Sequence, residues 1–198
     1  MEEKRLNKRQ QQAEQTKLNI FQAALELLEQ TDFESITVRD IVRKAGVSVG
    51  SFYNAYTSKL EVFYQTYEIA DDYFEREVAP MLAQKDPIGG ILLFFEEYAR
   101  YNSVRTPIAL TRVLYNPDNP YFHRAGSRGM VPVLTEQICR AMDCGALTTE
   151  RKPDAVAEYL MICARGIVYD WCLAKGRYDL TERIREYIPY LLRAFEPS

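Results

Sequence analysis

Apolar residues recur at three- and four-residue spacing along almost the whole chain, and no stretch alternates apolar and polar long enough to mark a strand. Leu18, Phe21, Leu25 and Leu28 form the first such stripe and predict a helix over about Gln10–Gln30. Thr37, with Asp40 three residues on, predicts a capped start for a short second helix. Gly46 ends that helix at Lys44-Ala45, and Ser48 restarts one as its N-cap. Ser58 and Glu61 form a capping box for a longer helix. Its positions Leu60, Phe63, Tyr67, Ala70, Phe74, Val78 and Met81 stay on one face. Further helices are expected at Ile88–Asn102, from Thr106-Pro107 to Tyr115, at Tyr121–Met142 with a bend at Pro132, at Pro153–Lys175 and at Leu180–Phe195. The stretch NPDNP over 116–120 reads as a loop. The pattern predicts an all-α chain of about nine helices, with one domain over residues 1–60 and a larger one over 61–198.

Composition narrows the class. A chain of 198 residues with 47% hydrophobic content can bury a core without staples. Apolar runs such as Ile91–Phe95 are far short of the roughly 18 residues a membrane span needs, and no apolar segment follows the N-terminal charges. A cytoplasmic protein with no membrane partner is expected. Cys139, Cys144, Cys163 and Cys172 show no CxxC spacing and sit among apolar helical residues, so buried, reduced thiols are expected. The net charge of −3 conceals an asymmetry: Arg39, Arg43, Lys44 and Lys59 against Asp40 give residues 37–59 a balance of +3, whereas residues 61–198 carry −4. One small positive segment on an acidic body suits a chain of which only that segment meets a polyanion.

That segment has the pattern of a helix-turn-helix. Ile41, Val42 and Ala45 line the inner face of one helix, Gly46 turns the chain, Val47 fills the elbow and Phe52 anchors a second helix whose other face projects outward. Such a helix can enter a major groove. Gly50 and Ser51 keep its start small, Tyr53 and Lys59 offer donors to phosphate, Asn54 can address a base edge, and Val49 can touch a thymine methyl. Two short helices around a glycine also occur in proteins that never meet DNA, so the spacing alone leaves this open.

From Gln10 to about Phe63 the chain resembles the DNA-binding domain of the TetR family of bacterial transcriptional regulators. The resemblance rests on Ile36-Thr37-Val38-Arg39-Asp40-Ile41, Ala45-Gly46-Val47-Ser48, Gly50, Phe52-Tyr53, Tyr56 and Ser58-Lys59-x-Glu61. Val42 stands where the family usually has alanine, which asks for slightly wider helix packing. The resemblance implies that Val49, Ser51, Tyr53 and Asn54, on the helix capped by Ser48 and opened by Gly50, face the groove. It also implies that Thr37, Arg39 and Lys59 touch phosphate or flanking bases. Residues 1–17, with five basic and three acidic side chains, read as a solvated tail or as an arm on DNA.

For the larger domain the resemblance implies a homodimer and a cavity for a small-molecule effector. A repressor that leaves a palindromic, double-stranded operator when the effector binds would follow. The last two expected helices are apolar on two sides, and their interface residues are taken as Tyr159, Cys163, Ile167, Ile184, Ile188, Leu191 and Phe195. Aromatic density suggests a pocket for an apolar or aromatic effector, lined by Phe63, Tyr67, Phe94, Tyr98, Tyr101, Tyr115, Phe122 and Trp171, with Arg100 and Arg105 for an anionic group. No cofactor is implied and no catalytic constellation can be assembled: the one histidine, His123, lacks ligand-spaced neighbours, and Glu96-Glu97 lacks an ExxH partner. A helical protein-interaction module would explain the apolar helices but not the register of residues 36–61.

Overall fold

The computed structural model describes residues 8–116, 119 and 129–197, which divide into two compact units, Met1–Thr66 and Tyr67–Ser198. The division falls inside a helix, six residues beyond the boundary that the sequence pattern suggests.

In the N-terminal unit, α1 (Lys8–Leu28) packs on α2 (Val38–Ala45) and α3 (Val49–Ala55), which pack on each other, and the unit closes on the first turns of α4 (Lys59–Tyr73). Its core holds Ile20, Ala24, Ile41, Phe52, Val62 and Phe63, all fully buried. Val42 is also buried, so the bulkier residue is accommodated between helices. The starts of α2, α3 and α4 are fixed by local side chains. Thr37 and Asp40 cap α2 reciprocally, and Ser48 accepts from the Ser51 amide at 3.0 Å. Ser58 accepts from the Glu61 amide at 3.1 Å, while the Glu61 carboxylate reaches one residue further back than a standard box, to the amide and hydroxyl of Thr57. Gly46 ends α2 at φ +68°, a left-handed conformation that costs other residues about 1 kcal/mol or more.

In the C-terminal unit, α4 continues through a π-helical turn (Phe74–Val78) into α5 (Ala79–Ala83) as one helix. The unit goes on with α6 (Pro87–Arg100), a second π-turn (Tyr101–Arg105), α7 (Ile108–Leu114), α8 (Met130–Asp143), α9 (Pro153–Leu173) and α10 (Leu180–Leu192). Counted with α4 and α5 as one helix, nine α-helices stand among the described residues. Helix α6 lies at the centre, against α5, α8 and α10, and α9 packs on α7, α8 and α10.

Both π-turns come just before a proline. Pro80 and Pro107 lack the amide that would continue the ladder, and their rings crowd the preceding turn, which the wider i→i−5 pattern relieves. Side chains take up carbonyls near the second turn: Asn102 Nδ2 donates to the Tyr98 carbonyl and Ser103 Oγ to that of Ala99, both at 2.8 Å. The residue added by the first turn shifts the apolar register. Leu82 is fully buried where the sequence pattern places Met81, and Met81 is turned out.

Of the helix expected over Tyr121–Met142, residues 121–128 lie outside the described residues, and α8 starts at Met130 after Gly129, which has φ +95°. Pro132 therefore falls in a first turn, where its missing amide breaks no intrahelical bond. Buried thiols were expected at all four cysteines, but only Cys172 is buried; Cys139 and Cys163 are intermediate and Cys144 is exposed.

Candidate nucleic-acid interface and ligand site

Helix α3 separates its faces sharply. Phe52 is fully buried and stacks edge-on against Tyr53 and tilted against Tyr56. Tyr56 is buried with its hydroxyl bonded to the Gln65 side chain. On the opposite side Val49 is 46% exposed and Tyr53 57%, and Gly50 and Asn54 are exposed too. No hydrogen bond within the described residues engages the Tyr53 hydroxyl or the Asn54 amide. Ser51 is half-buried and its hydroxyl lies 2.9 Å from that of Ser48, so these two groups serve the cap first.

Gly50 follows the first residue of α3, and a Cβ built there would meet only Ser48 Oγ, at 3.7 Å. The fold therefore has room for alanine, which would also be the better helix former.

The four cations of the positive segment are differently placed. Arg43 pairs with Asp40, and Lys44 reaches Glu26 on α1 at 2.7 Å. Lys59 Nζ donates to the carbonyls of Phe33 and Ile36 at 2.6 and 2.8 Å and lies 4.0 Å from the Phe33 ring centroid. Burial accordingly lowers its pKa from the ordinary lysine value. Two of its three N–H groups are thus spent inside the unit, and its role toward phosphate is reduced to the third. Arg39 is exposed and has no ion-pair partner among the described residues. Thr37 is exposed but its hydroxyl is held by Asp40, whose carboxyl is kept below its ordinary pKa by the Thr37 hydroxyl and amide and, to a lesser degree, by Arg43.

The residues expected to line one effector pocket separate into distinct groups. Phe63 belongs to the core of the N-terminal unit, fully buried and edge-on to Phe33. Phe94 is fully buried core between Phe74 and Phe95. Trp171 is buried and donates Nε1–H to the Tyr178 carbonyl at 2.9 Å. Phe122 lies outside the described residues, as do Tyr121 and His123.

Tyr67, Tyr98 and Tyr115 form an interior phenolic cluster. The hydroxyls of Tyr98 and Tyr115 are 2.5 Å apart, and the Tyr67 hydroxyl donates to the Leu114 carbonyl while accepting from Asn119 Nδ2. Burial pushes the Tyr98 pKa up to about 12 and that of Tyr115 well above the ordinary phenol value, so both stay neutral donors at physiological pH. Tyr101 and Arg105 instead line an open groove of about 990 Å³ together with Tyr73, Arg76, Glu97 and Arg100.

Of the expected interface residues, Ile184, Ile188 and Phe195 are buried inside the chain itself, so they are core and not interface. Cys163, Ile167 and Leu191 are half-buried, and Tyr159 is 40% exposed with its ring edge-on to Phe195. The exposed apolar stripe on α9 runs from Tyr159 through Ile162, Tyr169 and Leu173, with Tyr187 and Tyr190 on α10. Gly166 sits in that stripe, and a Cβ there would meet nothing within 4 Å. The sequence pattern picks out Tyr159 on this stripe but not Ile162, Tyr169 or Leu173, because α9 is apolar nearly all round; the mid-helix glycine is the available signal.

Residues 20–65 match the family model described as bacterial regulatory proteins, tetR family. Comparison with curated protein sequences gives no match. The backbone is similar to that of Thermus thermophilus FadR, a TetR-family transcriptional repressor solved with lauroyl-CoA (24% identity, TM-score 0.70, 92% of this chain and 96% of that one). It is also similar to Bacillus subtilis FadR, a transcriptional regulator solved with stearoyl-CoA (15% identity, TM-score 0.70, 90% and 99%). A third similar structure is NalD, the secondary repressor of the MexAB-OprM multidrug efflux pump in Pseudomonas aeruginosa (16% identity, TM-score 0.66, 95% and 99%). Among the described residues no helix is long and apolar enough to cross a membrane. The family match thus covers the helix-turn-helix segment, residues 20–65, and over the rest of the chain the similarity to these regulators is one of fold.

Proposed function

We propose that the protein is a homodimeric, ligand-responsive transcriptional repressor that uses α3 to read a two-fold-symmetric DNA operator. The observation that carries the reading is the outer face of α3, where Val49, Tyr53 and Asn54 stand exposed around a glycine that the fold does not require. Val49 and Asn54 would meet base edges, Tyr53, Arg39 and the remaining N–H of Lys59 would meet phosphate, and the absent Cβ of Gly50 would let the backbone approach DNA. Thr37, Ser48 and Ser51 would act mainly by fixing the helix starts that aim these groups.

The partner for the α9 and α10 stripe is a second copy of the chain. Exposed Ile162, Tyr169, Leu173 and Tyr190 are costly in water, and Gly166 supplies the close approach that a crossing helix needs. Two reading helices about 34–36 Å apart would then span one turn of DNA. The fold relatives solved with lauroyl-CoA and stearoyl-CoA support a small-molecule effector with an apolar portion, taken up by the C-terminal unit. Its binding would shift α4, which runs from one unit into the other, and so end operator binding without catalysis. A full switch requires about 10⁴-fold tighter binding to the released state.

Footprinting the purified protein on DNA around its own coding region, with light scattering for mass, tests the reading. A dimer protecting one palindromic segment is expected. A monomer, or protection without sequence preference, would refute it.

A further inference from the structure

The groove of about 990 Å³ on the C-terminal unit lies between the far end of α4 with α5 and the end of α6, and each wall carries one of the two π-turns. Turns of this kind are concentrated at functional sites. Three apolar side chains stand open at it: Ile69 is 46% exposed, Met81 40% and Val104 78%. The Tyr73 and Tyr101 rings lie against each other with centroids 5.6 Å apart. Glu97, 5% exposed, accepts from the Tyr73 hydroxyl at 2.9 Å and from Arg100 Nη1 at 2.6 Å, so both its oxygens are satisfied and its charge is balanced locally.

Arg105 is placed differently. Its guanidinium stacks on the face of Tyr73, 4.2 Å from the centroid, and the residue is exposed. Stacking uses the face of the guanidinium, and one N–H is directed to the Tyr73 hydroxyl, which leaves the other donors of its planar edge for a carboxylate or sulfonate. Arg76 lines the same groove. Asp72 and Glu77 line it from α4 and its π-turn, which disfavours a head group with several negative charges.

From this geometry we infer that the groove binds an amphipathic monoanion, its head on the edge of Arg105 and its apolar body along Tyr101, Val104, Ile69 and Met81. The inference rests on the ligand-responsive reading and gives the effector a chemical class. Glu97 is already neutralised by Arg100, so an organic cation of the same size meets the Arg105 guanidinium at the head position, and a neutral chain forgoes the Arg105 contact.

The test is calorimetric titration of the full-length protein with decanoate, decan-1-ol and decyltrimethylammonium, all below their micellar concentrations. Decanoate should bind saturably, one per chain, and at least about tenfold tighter than the other two. Arg105→Gln should weaken decanoate by about tenfold or more, and Val104→Glu, a change at a residue exposed enough not to disturb folding, should do the same. Arg177→Gln, an exposed charge outside the groove, should change nothing. Unchanged decanoate affinity in both groove variants, or preference for the cation, overturns the inference. The DNA segment protected in the footprint is titrated in parallel. Arg105-dependent decanoate binding that leaves DNA affinity unaltered upholds the groove and refutes the effector reading, whereas loss of DNA binding in wild type but not in Arg105→Gln supports both.

Discussion

The two units distribute polar and apolar groups in opposite ways. In the N-terminal unit, polar side chains fix helix ends, and those left over, on Arg39, Tyr53 and Asn54, face water. In the C-terminal unit the polar groups turn inward, as in Tyr98 to Tyr115 and Glu97 to Arg100, while Ile162, Tyr169, Leu173 and Tyr190 are left outside. Spare hydrogen-bonding groups beside a cation suit a hydrated polyanion, and spare apolar groups suit a surface that excludes water. Each face also holds a helical glycine with room for a Cβ, Gly50 and Gly166. The difference teaches that two unlike partners can be inferred from what each unit leaves unused.

The largest effect should come from separating the units. Phe52→Ala removes a fully buried ring and should cost the N-terminal unit about 3–5 kcal/mol. In denaturant titration, helicity should then be lost in an early step while Trp171 fluorescence, reporting the C-terminal unit, keeps its midpoint. A common shift of both signals would show that the units unfold as one.

Next in size, Asn54→Ala should lower affinity for the protected operator by about 1–3 kcal/mol, with no change in thermal midpoint. Equal losses on operator and unrelated DNA would move Asn54 from base reading to backbone contact.

The two glycines sharpen the comparison further. Gly50→Ala and Gly166→Ala should each stabilise the isolated fold by up to about 0.5–1 kcal/mol, because alanine is the better helix former and both sites have space. The first should weaken DNA binding and leave the dimer intact, and the second should weaken the dimer, read by sedimentation. Either variant that gains stability without losing its partner removes the argument for that face.

The smallest effect is in pH dependence. Thr37 holds the Asp40 carboxyl below its ordinary pKa, and Thr57 does the same for Glu61. Groups with depressed folded-state values contribute stability that is present above the unfolded pKa and lost as pH falls through the folded one. Amide exchange in α2 and α4 should therefore accelerate only below the ordinary carboxylate range, and Asp40→Asn should flatten that limb for α2.

The helix-turn-helix was legible in the sequence because its determinants are local. Thr37, Asp40, Gly46, Ser48 and Phe52 act within a few residues of one another, and their caps, turn and anchor appear in the fold where spacing placed them. Lys59 was less so, since its carbonyl partners Phe33 and Ile36 lie more than twenty residues earlier. The C-terminal unit depends on tertiary choices. Ile184 and Ile188 could be interface or core on periodicity alone, and packing makes them core. The π-turns moved Leu82 inward and Met81 outward, a shift that a fixed 3.6-residue period cannot anticipate although Pro80 and Pro107 signal it.

The most direct test of the central claim is the salt dependence of operator binding by wild type and by Arg39→Ala. The account predicts that log affinity falls linearly with log salt for wild type, and that Arg39→Ala weakens binding to all sequences while reducing the slope by about 1. A slope unchanged by the substitution, or wild-type binding that does not respond to salt, would contradict the assignment of this face to DNA.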